Sequence, residues 1–173
     1  SPSSRSSPPE GGGRSTHVTA AGPSRKQARR DAVFLLYQTE VTRLGMAELV
    51  DGLRLREGYA PDDFTIKAVA GVRTTLDELD ALLAAHAKDW PPDRIAPLER
   101  SILRLALWEM RAGVTPPEVA VDEAVRLTRR YSTDEAGAFV NGVLGGVIRA
   151  GQAAPAAVDD GRRGRESGED GRD

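Results

Sequence analysis

From Ser24 to Ala150 apolar residues return at helical spacing in almost every segment, and no stretch sustains strand alternation with hairpin turns. A chain with that single period buries stripes rather than flat faces, so the predicted fold class is all-α. Ser24 followed by Gln27 has the capping-box form of a helix start. A helix over about 25–43 follows, with Ala28, Ala32, Leu35, Leu36 and Thr39 on one face, and a second over about 47–56. Pro61-Asp62-Asp63 opens a long pattern from Phe64 through Leu83, inside which Gly71 permits a kink or a close helix crossing. Trp90-Pro91-Pro92 then divides the domain into two helical halves, because proline cannot continue a helix and biases its predecessor toward extended geometry. Pro97 suits the first turn of a helix to about Ala112, and Thr115-Pro116-Pro117-Glu118 has a capping-box form opening a helix to about Tyr131. The last helix carries Phe139, Val140, Val143, Leu144, Val147 and Ile148 at close to ideal spacing.

Outside this region the pattern fails. Residues 1–23 are clusters of Ser, Pro and Gly, and 151–173 drift into mixed Gly, Arg, Asp and Glu; both read as disordered tails around a single folded domain over 24–150. With no cysteine, disulfide frameworks, thiolate catalysis and Cys-ligated metal sites are excluded. The two histidines, His17 and His86, have no ligand spacing, so no metal or cofactor is expected. No apolar run approaches a bilayer span and the amino end has no apolar signal core, which makes a cytoplasmic protein the expectation. Asp77, Glu78 and Asp80 read as a solvated helix face, and no Walker loop, nucleophile elbow or H-E-x-x-H motif occurs. Binding, not catalysis, is the predicted activity.

The formal net charge of −2 excludes a uniformly basic nucleic-acid coat but conceals segregation. Arg25, Lys26, Arg29 and Arg30 place four cations in six residues at a helix start, where they oppose the macrodipole. In the sequence reading the pairs Lys26/Arg30 and Arg25/Arg29 form adjacent rows on one surface. An external polyanion such as an RNA backbone accounts for the placement, and Tyr37, in line with Lys26, Arg30 and Val33, offers a ring for base stacking. The alternative is a solvated basic end with Tyr37 at the core edge. Arg100, Arg104 and Arg111 form a second basic stripe, with Glu109 on the opposite, apolar side, where a carboxylate requires a partner such as an arginine or a helix N-terminus. Arg126, Arg129 and Arg130 complement the dipole at a helix end, with Tyr131 either closing the core or adding a stacking surface. Asn141 caps, bridges to the preceding loop or contacts RNA.

The segments Ala28-Arg29-Arg30-Asp31-Ala32-Val33-Phe34-Leu35-Leu36-Tyr37, Glu99 through Met110, Val119 through Val125 and Phe139-Val140-Asn141-Gly142-Val143-Leu144 together resemble the bacterial NusB family over about 25–148. Trp108 replaces that family's usual Tyr, and Val121-Asp122-Glu123 its common Ile-Asn-Glu. The resemblance implies a bundle of about seven helices in two halves and a transcription antitermination factor. Such a factor binds the boxA RNA of ribosomal RNA transcripts together with NusE, a small-subunit ribosomal protein. It also supports RNA polymerase read-through and ribosomal RNA processing. It further implies RNA contacts at Arg25, Lys26, Arg29, Arg30, Tyr37, Arg104, Phe139 and Asn141, with Glu99 toward the protein partner. The division of Glu99, Arg104 and Phe139 between RNA and NusE stays open, as does monomer against homodimer. Two alternative readings are the NusB-like module of a ribosomal RNA cytosine methyltransferase and a helical interaction scaffold without RNA affinity.

Overall fold

A computed structural model describes residues 23–88 and 90–154; both tails expected from the sequence lie almost wholly outside the described residues. Within these, seven α-helices and one 3-10 turn are present and no strand is. Helix α1 (Arg25–Thr42) starts at Ser24, whose hydroxyl accepts the Gln27 N–H at 3.2 Å. It buries Ala28, Ala32, Val33, Leu35 and Leu36, the apolar stripe expected for a core-facing helix. Helix α2 (Met46–Glu57) fully buries only Leu49.

The long pattern after Pro61 is two helices, α3 (Asp63–Thr74) and α4 (Leu76–His86), divided at Thr75. Three hydroxyl contacts explain the division: Thr75 Oγ1 donates to the Gly71 carbonyl at 2.7 Å, and Thr74 Oγ1 to those of Ala70 and Gly71 at 3.0 and 3.1 Å. Threonine hydroxyls that bond back one turn compete with the backbone ladder and bend helices. Gly71 serves the other purpose expected of it, a close crossing: a Cβ there would fall against the indole ring of Trp108, so only glycine lets that ring lie on the backbone.

After Trp90 and Pro91, a 3-10 turn (Pro92–Arg94) leads into α5 (Pro97–Arg111), then α6 (Pro117–Tyr131) and α7 (Asp134–Arg149). The two halves of the chain share one core. Helix α5 is its axle, packed against α1, α3, α4, α6 and α7, and buried on every side from Ser101 to Met110 except at Arg104. Thr115 does not cap α6, whose N-cap is Pro116; its hydroxyl instead donates to Glu109 Oε1 at 2.7 Å.

Candidate nucleic-acid interface

The four cations at the start of α1 do not share one surface. Successive helical residues are rotated by about 100°, so the row 25/29 and the row 26/30 diverge once the helix is packed. Arg25 is exposed and its guanidinium lies 4.0 Å from the centroid of Phe64 on α3, a cation–π contact. Arg29 points inward and is only 4% exposed. Its Nε donates to Glu109 Oε2 at 2.9 Å and its Nη2 to Oε1 at 2.8 Å, a two-pronged pair in the core. Glu109 thereby has the arginine partner its apolar position demands. Lys26 and Arg30 face α6 at the surface, while the buried Arg29 reaches it through Nη1, 3.5 Å from Glu123.

On that side Lys26 and Arg30 meet Arg126, Arg130 and Tyr131, and the five line a groove, with Ser24, Gln27 and Leu127, between the start of α1 and the end of α6. Tyr131 packs edge-on against Phe34 with ring centroids 5.0 Å apart, and the Arg130 guanidinium lies 5.5 Å from its ring centroid. Hydrogen bonding and charge from Arg130, then from Arg30, lower the pKa of the Tyr131 phenol below its ordinary value. Two helix ends widely separated in sequence therefore build one basic and aromatic surface. Glu123 stands behind it on α6, paired with Arg126, 3.5 Å from Arg29 and 3.9 Å from Lys26.

The arginine stripe of α5 is a clasp and not an open patch. Arg100 pairs with Glu40 of α1 and donates to the Pro92 carbonyl at 2.6 Å. Arg104 holds Asp80 of α4 through two bonds of 2.8 Å and lies 3.7 Å from Glu40. Arg111 pairs with Glu78 and donates to the Gln152 carbonyl at 3.0 Å. Asp80 and Glu78, expected on a solvated face, are thus inter-helix partners. Tyr37 is half-buried one turn before Glu40.

A third region gathers Glu99, Phe139 and Trp90. They line one hollow with Arg94, Ile95 and Glu135, and Trp90 and Phe139 also border the adjoining hollow along α7. Trp90 is 52% exposed, while Glu99 is buried and accepts a hydrogen bond from the Ser132 hydroxyl. Asn141 is exposed on α7 and lines neither hollow, although its neighbour Gly142 lines the second.

The sequence alone assigns Arg126, Arg130 and Trp90 to no site, and offers Tyr131 either as a stacking surface or as a closure of the core. Arg126 and Arg130 have the same four-residue spacing as Lys26 and Arg30, a signal masked by their agreement with the helix dipole. At Trp90 the following prolines signal a chain break and leave the exposure of the ring unannounced.

This architecture defines a helical binding domain that presents a basic and aromatic groove at one place and a hollow bordered by two aromatic rings at another. The family model described as the NusB family matches residues 26–149. A transcription antitermination protein NusB from Rubrobacter xylanophilus is 43% identical over 124 residues, covering 71% of this chain and 88% of that protein. Two solved structures superpose with TM-scores of 0.64: NusB of T. maritima, 27% identical over 73% of this chain and 92% of that one, and antitermination factors NusB and NusE in complex with dsRNA, 28% identical over 73% and 96%. The chain belongs to the NusB family.

Proposed function

We propose that the protein is a transcription antitermination factor that binds boxA RNA of ribosomal RNA transcripts together with NusE and acts by assembly, without turnover. The observation that carries this reading is the α1–α6 groove, where Lys26, Arg30, Arg126 and Arg130 surround Tyr131. Four cations provide sequence-independent attraction to phosphates, and a phenol ring at the groove supplies a stacking surface for an unpaired base. A relative that is a transcription antitermination protein and a similar structure of NusB and NusE with dsRNA support the same reading.

Arg25, Tyr37 and Asn141 do not line this groove; Arg25 and Asn141 are exposed and Tyr37 half-buried, and each is proposed as an additional RNA contact outside it. Arg29 and Arg104 contribute as positioning residues, since their guanidinium groups are engaged by Glu109 and by Asp80. The hollow of Trp90, Glu99 and Phe139 is assigned to NusE, because an exposed aromatic ring beside a half-buried one suits a protein partner. The complex so formed works in the cytoplasm as part of the RNA polymerase antitermination assembly.

The test is a titration of boxA RNA against a scrambled strand, with and without NusE, at two salt concentrations. Tighter, salt-sensitive binding of boxA that NusE strengthens is expected; equal binding of both strands under every condition would sink the proposal.

A further inference from the structure

We propose that Glu123 limits sequence-independent RNA binding by holding Lys26 and Arg126 in internal ion pairs that a phosphate must displace. The inference rests on the reading of the α1–α6 groove as an RNA surface.

Glu123 lies on α6 one turn before the groove residues Arg126 and Leu127. Its side chain is 13% exposed, whereas those of Lys26 and Arg126 are 64% and 48% exposed. The carboxylate is therefore set behind the two cations, not beside them in solvent. Of the buried Arg29 guanidinium, Glu109 takes Nε and Nη2 in short bonds, and Glu123 faces the remaining Nη1 at 3.5 Å. Glu123 also holds the outer pair, Arg126 by direct contact and Lys26 at 3.9 Å. Among the described residues no acidic side chain lines the groove itself, and Asp31, 3.7 Å from Arg30, is the other carboxylate paired with a lining cation.

A phosphate arriving at Lys26 and Arg126 thus exchanges one anion for another and meets repulsion from the carboxylate that remains. Both effects are blind to base identity. They lower the affinity of every strand by a similar factor, leaving discrimination to contacts with the bases. A strand without those contacts stays below the affinity at which it competes, while a cognate strand rises above it.

The test compares the full chain with Glu123→Gln, which keeps the shape and a hydrogen-bonding amide but removes the charge. Binding of boxA and of the scrambled strand is titrated over a salt series, alone and with NusE. Glu123→Gln is expected to tighten both strands by about three- to tenfold, the size of one or two exposed ion pairs, and to steepen the salt dependence. In an Arg126→Ala background the gain from Glu123→Gln should fall to less than half on a logarithmic scale. Unchanged or weaker binding by a variant with wild-type helix content and melting temperature overturns the inference, because it makes Glu123 a scaffold for its cations. So does a gain that persists in full without Arg126. Equal wild-type binding of both strands removes the boxA reading alone, since the effect of Glu123→Gln is still measured on either strand. No binding of any RNA by either form overturns both.

Discussion

Arg29 and Glu109 stand 80 positions apart and meet in the core as a two-pronged ion pair, with both side chains at most 5% exposed. The pair joins the start of α1 to the last turn of α5, and the Thr115 hydroxyl on Glu109 Oε1 ties in the connection to α6. Removing one member strands a buried charge, which costs about 3–5 kcal/mol, whereas replacing both with apolar residues is often nearly neutral. Arg29→Ala and Glu109→Gln are each expected to lower the urea midpoint strongly, and Arg29→Met with Glu109→Leu to recover most of that loss. An unchanged midpoint in Arg29→Ala would show that the pair does not support the fold.

Gly71 and Trp108 make a second prediction, whose sign is diagnostic. In an ordinary helix interior Gly→Ala stabilises by about 1 kcal/mol. Here the added methyl meets the indole ring, so Gly71→Ala should destabilise by about 1–3 kcal/mol, the usual cost of overpacking. Trp108→Phe should relieve part of the loss in the double variant. Thermal melts of the four proteins form the cycle that measures this coupling, and stabilisation by Gly71→Ala would refute the crossing.

The chain has three tyrosines, and the structure separates two of them by acidity. Tyr59 is pushed up to about 12, chiefly by burial and then by the charge of Asp31, while Tyr131 is lowered by Arg130 and Arg30. A titration of phenolate absorbance should therefore show an early step from Tyr131 and a late one from Tyr59. Arg130→Ala moves the early step back toward the ordinary value, and RNA that occupies Arg30 and Arg130 moves it the same way. For stability the signs are opposite. The raised Tyr59 contributes stability that is complete below pH 10 and lost as pH climbs through about 12. The lowered Tyr131 contributes stability that is complete above its unfolded pKa and lost as pH falls through the folded one. Simultaneous ionisation of Tyr59 and Tyr131 would contradict both assignments.

Trp90 allows the proposed partner face to be tested without touching the core. Because half of its surface is already in solvent, Trp90→Ala should leave the melting temperature unchanged yet weaken NusE binding by about tenfold or more, the size of a hot-spot truncation. Phe139→Ala should weaken it as well, with some loss of stability, since Phe139 packs against the core. Calorimetric titration of NusE into each variant decides the matter. Wild-type affinity in Trp90→Ala would move the partner elsewhere.

Much of this was legible in the sequence, and the misses have specific physical causes. The helices announce themselves through apolar period and caps, and Ser24 caps α1 as its spacing requires. The break at Thr75 is hidden because Leu76 and Leu79 continue the apolar pattern without proline or glycine, and only the hydroxyl bonds reveal it. Thr115 looked like a cap because its spacing to Glu118 fits one, yet the hydroxyl was claimed by a carboxylate in the preceding helix. Arg29 carried a readable signal: it falls among Ala28, Ala32, Val33 and Leu36, all buried, just as Glu109 falls among apolar neighbours. Two opposite charges, each alone on an apolar stripe, are candidates for each other. The groove was less accessible, since its halves lie at the start of α1 and the end of α6, and periodicity within one helix says nothing about which helix ends adjoin.

Helix α2 makes a different kind of demand on the chain. With Leu49 as its sole fully buried side chain, Met46, Val50 and Leu53 only partly buried against the core, and Leu55 87% exposed, it is lightly tied to the body of the protein. Mutations accumulating there meet little resistance from packing, so insertions, lengthened turns and altered charge can be tried over evolutionary time at small risk to the axle formed by α5. The exposed side of Met46–Glu57 is thus a place where a new contact can be added to the fold at small cost in stability.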